Sequence, residues 1–192
     1  MSAPGRVLVV CTGNVCRSPL AERLLRVRLS ERLGERAGRV EVDSAGVRAL
    51  AGHGMTAEAA AELRGLGGDG GDFVSRQLTT QLLDQADLVL AATRQHRSEA
   101  VRLSPRTLRS AFTLRELHRL LADADLRELP SDPADRLREL VPLARGRRGF
   151  VPPADEGGDD VTDPYGRSTQ VYAATTRQIV PAVDFLVDAI AG

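Results

Sequence analysis

The sequence predicts an α/β fold: a single domain with a four-stranded parallel sheet flanked by helices. Short apolar runs, typical of buried parallel strands, occur at residues 6–10, 39–44, 87–92 and 110–113. Helical patterns alternate with these runs, as in sheets covered on both faces. The chain has 192 residues, of which 42% are hydrophobic, and this size and composition suit one globular domain.

The first predicted unit is a strand, a tight loop and a helix. The strand at residues 6–10 leads into a turn-rich segment, residues 11–17. Ser18 and Pro19 then follow in the order preferred for an N-cap and a first helical residue. Apolar residues at helical spacing extend this helix to about residue 33, where Gly34 can end it.

The remaining helices follow from caps and apolar periodicity. Thr56 and Thr93 are suitable N-caps for the second helix and for the helix after the third strand. Helices are predicted over residues 56–66, 78–83, from 93 onward, over 114–122 and over 168–191.

Residues 123–160 have a different character, because they are charged and rich in proline and glycine. Ser131 or Asp132 before Pro133 can start a helix there, and apolar residues at helical spacing follow. We therefore predict one domain over residues 1–192 that carries a helical, charged insertion at about 123–160.

Composition excludes several classes of protein. The formal net charge is zero, so nothing global attracts nucleic acid or an anionic membrane. The two cysteines, Cys11 and Cys16, are too few and too close together for a secreted disulfide scaffold. The apolar run near the N-terminus is short for a signal peptide, and no stretch is long enough to span a membrane. These features predict a cytoplasmic protein, and we expect a monomer.

The segment after the first strand has the features of an anion site. Cys11 stands at the carboxyl end of a parallel strand, where open α/β sheets bind ligands. Gly13 and Asn14 tolerate the left-handed conformations that let backbone N–H groups converge on an anion. Arg17 supplies a planar fork for two phosphate oxygens. The same positive field, with the helix N-terminus, favours Cys11 as a nucleophile.

A packing role, a nucleotide site and a zinc site each fit this segment less well. A cysteine at a strand end is more often buried packing than a nucleophile, but here the surrounding residues favour the nucleophile. The segment lacks the Gly-Lys-Ser/Thr end of a nucleotide-binding loop. The chain has three scattered histidines, His53, His96 and His118, which we expect at the surface. Their spacing from the cysteines is not that of zinc ligands, so we predict no metal site.

The stretch V-C-T-G-N-V-C-R-S-P, from Val10 to Pro19, resembles the signature of the low-molecular-weight protein tyrosine phosphatases. Three further segments match that family in order: Asp43-Ser44-Ala45-Gly46, Ser75-Arg76-Gln77-Leu78 and Asp163-Pro164-Tyr165. The resemblance covers about residues 6–119 and 160–190. It implies the family's three-layer α/β/α fold.

By resemblance, the chain hydrolyses phosphotyrosine monoesters in two steps without a cofactor. Cys11 is the nucleophile, Arg17 clamps the phosphate and Asp163 is the general acid and then the base. The phosphate-binding residues implied are Thr12, Gly13, Asn14, Val15, Cys16, Arg17 and Ser18. The resemblance also implies that Asn14, Ser18 and Ser44 support the loop, and that Ser18 hydrogen-bonds the Cys11 sulfur.

Cys16 has two interpretations. It either fills space behind the loop or, as the resemblance implies, protects oxidised Cys11 by forming a disulfide with it. Asp163 similarly could be a simple turn residue before proline, but the signature favours the general acid.

The sequence departs from the family pattern at two places. Phe73 stands where a histidine usually supports the loop, so support for Asn14 must come from elsewhere. Leu50 or a neighbour replaces an aromatic residue that usually stacks on the substrate ring. The predicted substrate wall is therefore Tyr165 with Val15 and Leu50. Phosphoarginine phosphatases of the family carry threonine at the position of Val15, whose apolar side chain favours an aryl ring.

Three alternative functions stay open: a phosphoarginine phosphatase, a thiol-dependent arsenate reductase on the same fold, and a non-catalytic module that binds phosphoproteins. The thioredoxin-coupled form of arsenate reduction needs further cysteines, and the chain has none after Cys16. A binding module is disfavoured by the presence of all three catalytic residue types. The expected partners are a phosphotyrosine protein, for example a bacterial tyrosine kinase, and inorganic phosphate as product.

Overall fold

Four parallel strands form one sheet in the computed structural model, which describes residues 3–192. The strands are β1 Gly5–Cys11, β2 Val40–Gly46, β3 Leu88–Ala91 and β4 Ala111–Thr113. Their order across the sheet is β2-β1-β3-β4, and every neighbouring pair is parallel. The predicted α/β class and the four parallel strands are confirmed.

Seven α-helices lie within residues 3–192: α1 Arg17–Leu33, α2 Ala57–Gly65, α3 Thr80–Gln85, α4 Arg94–Leu103, α5 Leu114–Leu121, α6 Pro133–Arg147 and α7 Thr169–Ala191. Thr56 and Thr93 cap α2 and α4 through their side chains, as predicted. α3 begins two residues later than predicted, because the Thr79 hydroxyl caps it. Two 3-10 helices, Gly34–Arg39 and Pro105–Arg109, were not predicted.

The sheet is buried between two layers of helices. Alternate residues of β1 point to opposite faces of the sheet. Val7, Val9 and Cys11 pack with residues of α1, α5, α6 and α7 in the larger core. Leu8 and Val10 pack with α3 and α4 on the other face. This is the three-layer α/β/α arrangement that the resemblance implied.

Helix α6, from the segment 123–160, contributes to the core. Leu137, Leu140 and Ala144 are completely buried in the larger cluster. A Cβ atom on Gly5 would lie 2.8 Å from the Leu137 side chain, so glycine at the start of β1 lets α6 approach closely. The helix therefore stabilises the fold directly. No helix of the described part of the chain has the length and apolar character needed to cross a membrane.

The topology also determines where a ligand site can form. The chain leaves β1 for β2 on one side and then crosses to β3 on the other side. Ligands of open α/β sheets bind beyond the carboxyl ends of the strands at such a reversal. Cys11 ends β1, and the segment after β3 leads into α4, so both reach this crevice.

Candidate active site

The loop between β1 and α1 turns its carbonyl groups outward. They accept hydrogen bonds from a neighbouring segment: Cys11 O from Val47 N at 2.9 Å, Thr12 O from Arg48 N at 3.0 Å, Gly13 O from Leu50 N at 3.0 Å and Val15 O from Thr56 N at 2.9 Å. In a planar trans peptide the N–H of the next residue points away from the carbonyl. The N–H groups that follow these four carbonyls therefore point into the loop, where an oxyanion can bind them.

Two residues permit this tight path. Asn14 has a φ of 55°, the left-handed conformation that asparagine adopts more readily than most residues. Gly46 ends β2 against the loop, and a Cβ there would lie 2.5 Å from Thr12 O. Only glycine allows the backbone of β2 to come this close to the loop.

Cys11 lies at the base of the loop and is almost fully buried. Its Sγ is 2.9 Å from the Ser18 Oγ. The prediction that Ser18 caps α1 was wrong: the helix begins at Arg17, and Cys16 is the N-cap without a side-chain hydrogen bond. The Ser18 hydroxyl faces Cys11 and Asn14 instead, so it cannot also satisfy the end of the helix.

Asn14, Ser18 and Ser44, the predicted support residues, lie together behind the loop. The Asn14 amide donates to Ser18 Oγ at 2.9 Å and to Ser44 Oγ at 2.8 Å. Its carbonyl oxygen accepts the backbone N–H of Arg76 at 2.9 Å. The side chain of Asn14 is completely buried and is held at both ends. The motif Ser75-Arg76-Gln77-Leu78 therefore supplies part of the support that Phe73 cannot give.

Glu22 completes this network, although no sequence feature pointed to it. The Ser44 hydroxyl donates to the buried carboxylate of Glu22, which also pairs with Arg26 at 3.0 Å. Burial raises the pKa of Glu22, and the hydrogen bond from Ser44 and the charge of Arg26 oppose that rise. A glutamate one turn into a helix gives no sequence signal that separates it from a surface residue.

Phe73 takes no part in the loop support. It is buried, and the Arg23 guanidinium lies 5.5 Å from the centre of its ring. This geometry is typical of a cation–π contact. Phe73 therefore packs beside the network without replacing the hydrogen bonds of the usual histidine.

Arg17 and Asp163 meet above the loop. Arg17 Nη2 is 2.9 Å from Asp163 Oδ2, and the side chain of Asp163 is 54% exposed whereas that of Arg17 is 5% exposed. Arg17 also donates to Val161 O and to Thr12 Oγ1, each at 3.3 Å. The guanidinium is thus fixed from below, while the carboxylate stays accessible from outside.

A cavity of about 170 Å³ opens over the loop and collects most of the predicted site residues. Its lining is Cys11, Thr12, Gly13, Val15, Cys16, Arg17, Arg48, Leu50, Asp163 and Tyr165. Tyr165 and Leu50 are exposed at the rim, and Val15 is buried. Arg48 is the one member of this lining that was not predicted from the sequence. Asn14, Ser18 and Ser44 lie behind this surface rather than on it.

Cys16 differs chemically from Cys11. It packs with Val15, Ala59 and Tyr172, and its Sγ lies 3.5 Å from the Tyr172 hydroxyl. Burial raises the pKa of the Cys16 thiol and raises that of Tyr172 to about 12. The raised pKa keeps the Cys16 thiol protonated under ordinary conditions, and both cysteines are free thiols.

The expectation that all three histidines lie at the surface was wrong for His96. It is buried beside the loop, and its two ring nitrogens lie 2.8 Å from the hydroxyls of Thr12 and Thr93. His53 is exposed, and His118 stacks on Phe185 with ring centres 4.9 Å apart. Among residues 3–192, no group of three or more His, Cys, Asp or Glu side chains could hold a metal ion.

His96 makes the stability of the fold depend on pH. Burial, with a contribution from Arg17, lowers the pKa of His96 to about 4, while Glu99 and Asp163 oppose this shift. In the unfolded chain His96 has a pKa of about 6.5, so on acidification the unfolded chain takes up a proton at this residue before the folded protein does. The contribution of neutral His96 to the free energy of unfolding is therefore complete above about pH 6.5. It falls by about 3 kcal/mol as the pH is lowered toward 4.

Urea unfolding of the wild type and of His96→Gln at pH 7.5 and pH 4.5 tests this prediction. The wild type should lose more stability than the variant on acidification, since other titrating groups contribute equally to both. Equal losses in the two proteins would contradict the assignment.

Fold and site together define a class of protein: a three-layer α/β/α protein with a cysteine at the base of a loop of inward-facing N–H groups and an arginine–aspartate pair beside it. The sequence model of the family "Low molecular weight phosphotyrosine protein phosphatase" matches residues 6–134. The chain belongs to this family.

Individual relatives give the same family. Etp, a low molecular weight protein-tyrosine-phosphatase of Escherichia coli, is 39% identical over 99 residues. These residues are 52% of this chain and 62% of Etp, so the match spans less than two thirds of the length of Etp. EpsP of Ralstonia solanacearum, named "Probable low molecular weight protein-tyrosine-phosphatase", is 34% identical over 76% of this chain and 93% of EpsP. A protein-arginine-phosphatase of Geobacillus stearothermophilus is 29% identical over 96% of this chain and 95% of its own.

A solved structure shows the same fold. The crystal structure of the tyrosine phosphatase AmsI of Erwinia amylovora matches with a TM-score of 0.69 and 22% identity, covering 98% of this chain and 94% of AmsI. At this identity the likeness concerns the fold alone.

Proposed function

We propose that the protein is a protein tyrosine phosphatase that hydrolyses phosphotyrosine monoesters through a cysteinyl-phosphate intermediate. One observation carries the proposal: the Cys11 sulfur, the Arg17 guanidinium and the Asp163 carboxyl line one cavity above a loop of inward-facing N–H groups. Such a loop matches the oxygens of a phosphoryl group in line with a sulfur nucleophile.

In the first step, the Cys11 thiolate attacks phosphorus and the bond to the phenolic oxygen breaks. Asp163 is at the exposed rim, where its carboxylic acid form can give a proton to the departing phenolate. Ser18, 2.9 Å from the sulfur, donates a hydrogen bond that stabilises the thiolate. Arg17 and the loop N–H groups bind the equatorial oxygens as charge redistributes.

In the second step, a water molecule attacks the cysteinyl phosphate and the S–P bond breaks. Asp163, now a carboxylate, accepts a proton from this water, and Cys11 leaves as a thiolate. Inorganic phosphate is released with the regenerated enzyme. Neither step requires a cofactor.

The rim of the cavity supports an aryl substrate. Tyr165 and Leu50 are exposed on its lining, and Val15, a buried residue of the loop itself, adds an apolar side chain to that lining. An aromatic ring can pack against these side chains while its phosphate reaches Cys11. A phenolic leaving group also matches general-acid catalysis by Asp163.

A second candidate substrate is phosphoarginine. A protein-arginine-phosphatase that is 29% identical matches this chain almost end to end. A guanidinium would need polar partners near the rim, and the apolar Val15 offers none. The phosphotyrosine proposal therefore stands first.

The proposed location is the cytoplasm, where a reducing environment keeps Cys11 and Cys16 as thiols. The proposed partners are phosphotyrosine proteins, among them a bacterial tyrosine kinase. We also propose that residues 123–160 are an insertion within a single phosphatase domain. Cys16 is proposed to protect the enzyme: a Cys11 sulfenic acid condenses with the Cys16 thiol to give a disulfide and water.

The test is a comparison of kcat/KM on matched phosphotyrosine and phosphoarginine peptides, with Cys11→Ser as the blank. We expect turnover of the phosphotyrosine peptides and much lower turnover of the phosphoarginine peptides. Preference for phosphoarginine would replace the proposed substrate. Absence of phosphate release from every peptide would overturn the phosphatase proposal itself.

A further inference from the structure

His96 and Thr12 form a unit that the two-step mechanism above does not use. His96 stands in the first turn of α4, is 5% exposed, and reaches across to the phosphate-binding loop. Its Nε2 lies 2.8 Å from Thr12 Oγ1, and its Nδ1 lies 2.8 Å from Thr93 Oγ1. A buried imidazole with both nitrogens paired has a defined orientation, so its partners are oriented as well.

The hydrogen bonds of Thr93 assign the imidazole proton. Thr93 Oγ1 already accepts the backbone N–H of His96 at 3.2 Å, as the N-cap of α4. Nδ1, 2.8 Å away, is an acceptor that the hydroxyl proton of Thr93 can reach, so we assign Nδ1 as the acceptor rather than as a second donor to the same oxygen. In a neutral imidazole the remaining N–H is on Nε2, and it donates to Thr12. The depressed pKa of His96, caused chiefly by burial, agrees with a neutral ring.

Thr12 therefore receives two donors on one oxygen. Its Oγ1 accepts from His96 Nε2 and, at 3.3 Å, from Arg17 Nη2. A hydroxyl has two acceptor lone pairs and one proton. With both lone pairs occupied, the Thr12 hydroxyl can act only as a donor. Thr12 lines the cavity with Cys11 and Asp163, which places it beside the position proposed for the phosphoryl oxygens.

We propose that Thr12 donates a hydrogen bond from its side chain to a phosphoryl oxygen of the substrate, and that His96 is a positioning residue that fixes this donor and braces Arg17. The proposal rests on the proposed function. It adds a side-chain donor to the N–H groups of the loop. A neutral His96 also holds Thr12 without placing a second positive charge beside Arg17, which would repel it.

The experiment compares variants of both residues with 4-nitrophenyl phosphate as substrate. Thr12→Val, which keeps the shape but removes the hydroxyl, should lower kcat/KM about tenfold, the effect of one hydrogen bond to a charged group. Thr12→Ser, which keeps the hydroxyl, should recover most of that loss. His96→Leu should resemble Thr12→Val, and His96→Gln, whose amide can still donate to Thr12, should recover most of the activity.

The double variant tests whether His96 acts through Thr12. If His96 acts through Thr12, the double variant Thr12→Val/His96→Leu should be no slower than the slower single variant. In the Cys11→Ser background, Thr12→Val should also weaken binding of inorganic phosphate. His118→Gln, a half-buried histidine remote from the loop, is the matched control and should retain the wild-type rate. Thermal unfolding of each variant identifies any change caused by loss of folding, and His96→Gln serves where His96→Leu does not fold.

Wild-type turnover by Thr12→Val, or losses from Thr12→Val and His96→Leu that multiply in the double variant, would overturn the inference. Either result would leave the proposed phosphatase activity intact, because the wild type would still release phosphate. An inactive wild type would instead contradict the proposed function.

Discussion

Replacement of Cys11 by serine is expected to lower turnover of phosphotyrosine by more than about 10⁴-fold while inorganic phosphate still binds. In the proposed mechanism the phosphoryl group is transferred to the Cys11 sulfur, and a serine hydroxyl in its place is a far weaker nucleophile at neutral pH. The loop N–H groups and Arg17 do not depend on the sulfur. Steady-state kinetics and calorimetric titration with phosphate measure the two properties separately.

Cys16→Ser is the matched control, because it makes the same chemical change five residues away. Cys16 packs with Ala59 and Tyr172, and its thiol is kept protonated by burial. Its replacement should disturb packing and lower the melting temperature, with a far smaller effect on turnover. Equal losses of turnover in the two variants would show that Cys11 is not the nucleophile.

Asp163→Asn is expected to lower kcat by about 10²- to 10³-fold. Asparagine has nearly the same shape but one acceptor oxygen, so it can still accept from the Tyr165 N–H, whose nitrogen lies 3.2 Å from Asp163 Oδ1, and the turn at this position should survive. The pairing of Oδ2 with Arg17 is lost. Asparagine cannot give a proton to the leaving group. The loss should therefore be largest for phenols of high pKa and smallest for 4-nitrophenol, which leaves without help.

A series of aryl phosphates measures this dependence on the leaving group. Asp160→Asn is the control from the same segment, because Asp160 accepts the Arg94 N–H at 2.7 Å and supports the chain rather than the rim. Its dependence on the leaving group should match that of the wild type. Unchanged phosphotyrosine turnover by Asp163→Asn would refute the general-acid assignment.

The parts of the fold that depend on local chemistry could be predicted from the sequence. The strands are short apolar runs that end at polar or turn residues, and Thr56 and Thr93 cap their helices through contacts within three residues. Ser18 misled the prediction because a serine before proline is an excellent local cap. Its tertiary contacts with Cys11 and Asn14 outweigh that preference.

The parts of the site that depend on distant contacts could not be predicted. Glu22 and Ser44 are 22 residues apart in sequence, and His96 and Thr12 are 84 residues apart. Neither pair has a spacing or composition that marks it, because only the fold brings α1 beside β2 and α4 beside the loop that follows β1. The cysteine, the arginine and the glycine-containing loop were visible because they are consecutive.

The hydrogen bonds from residues 47–56 to the loop carbonyls have a consequence for how the substrate preference of the protein can change. Because the carbonyl groups of the loop are already hydrogen-bonded to this segment, the loop backbone has little freedom to adapt to different anions. We therefore expect any discrimination between leaving groups to depend on Leu50, Tyr165 and Arg48, whose side chains are exposed at the mouth of the cavity. Substitution of a few side chains at the mouth of the cavity can therefore change the substrate preference without changing Cys11, Arg17 or the loop.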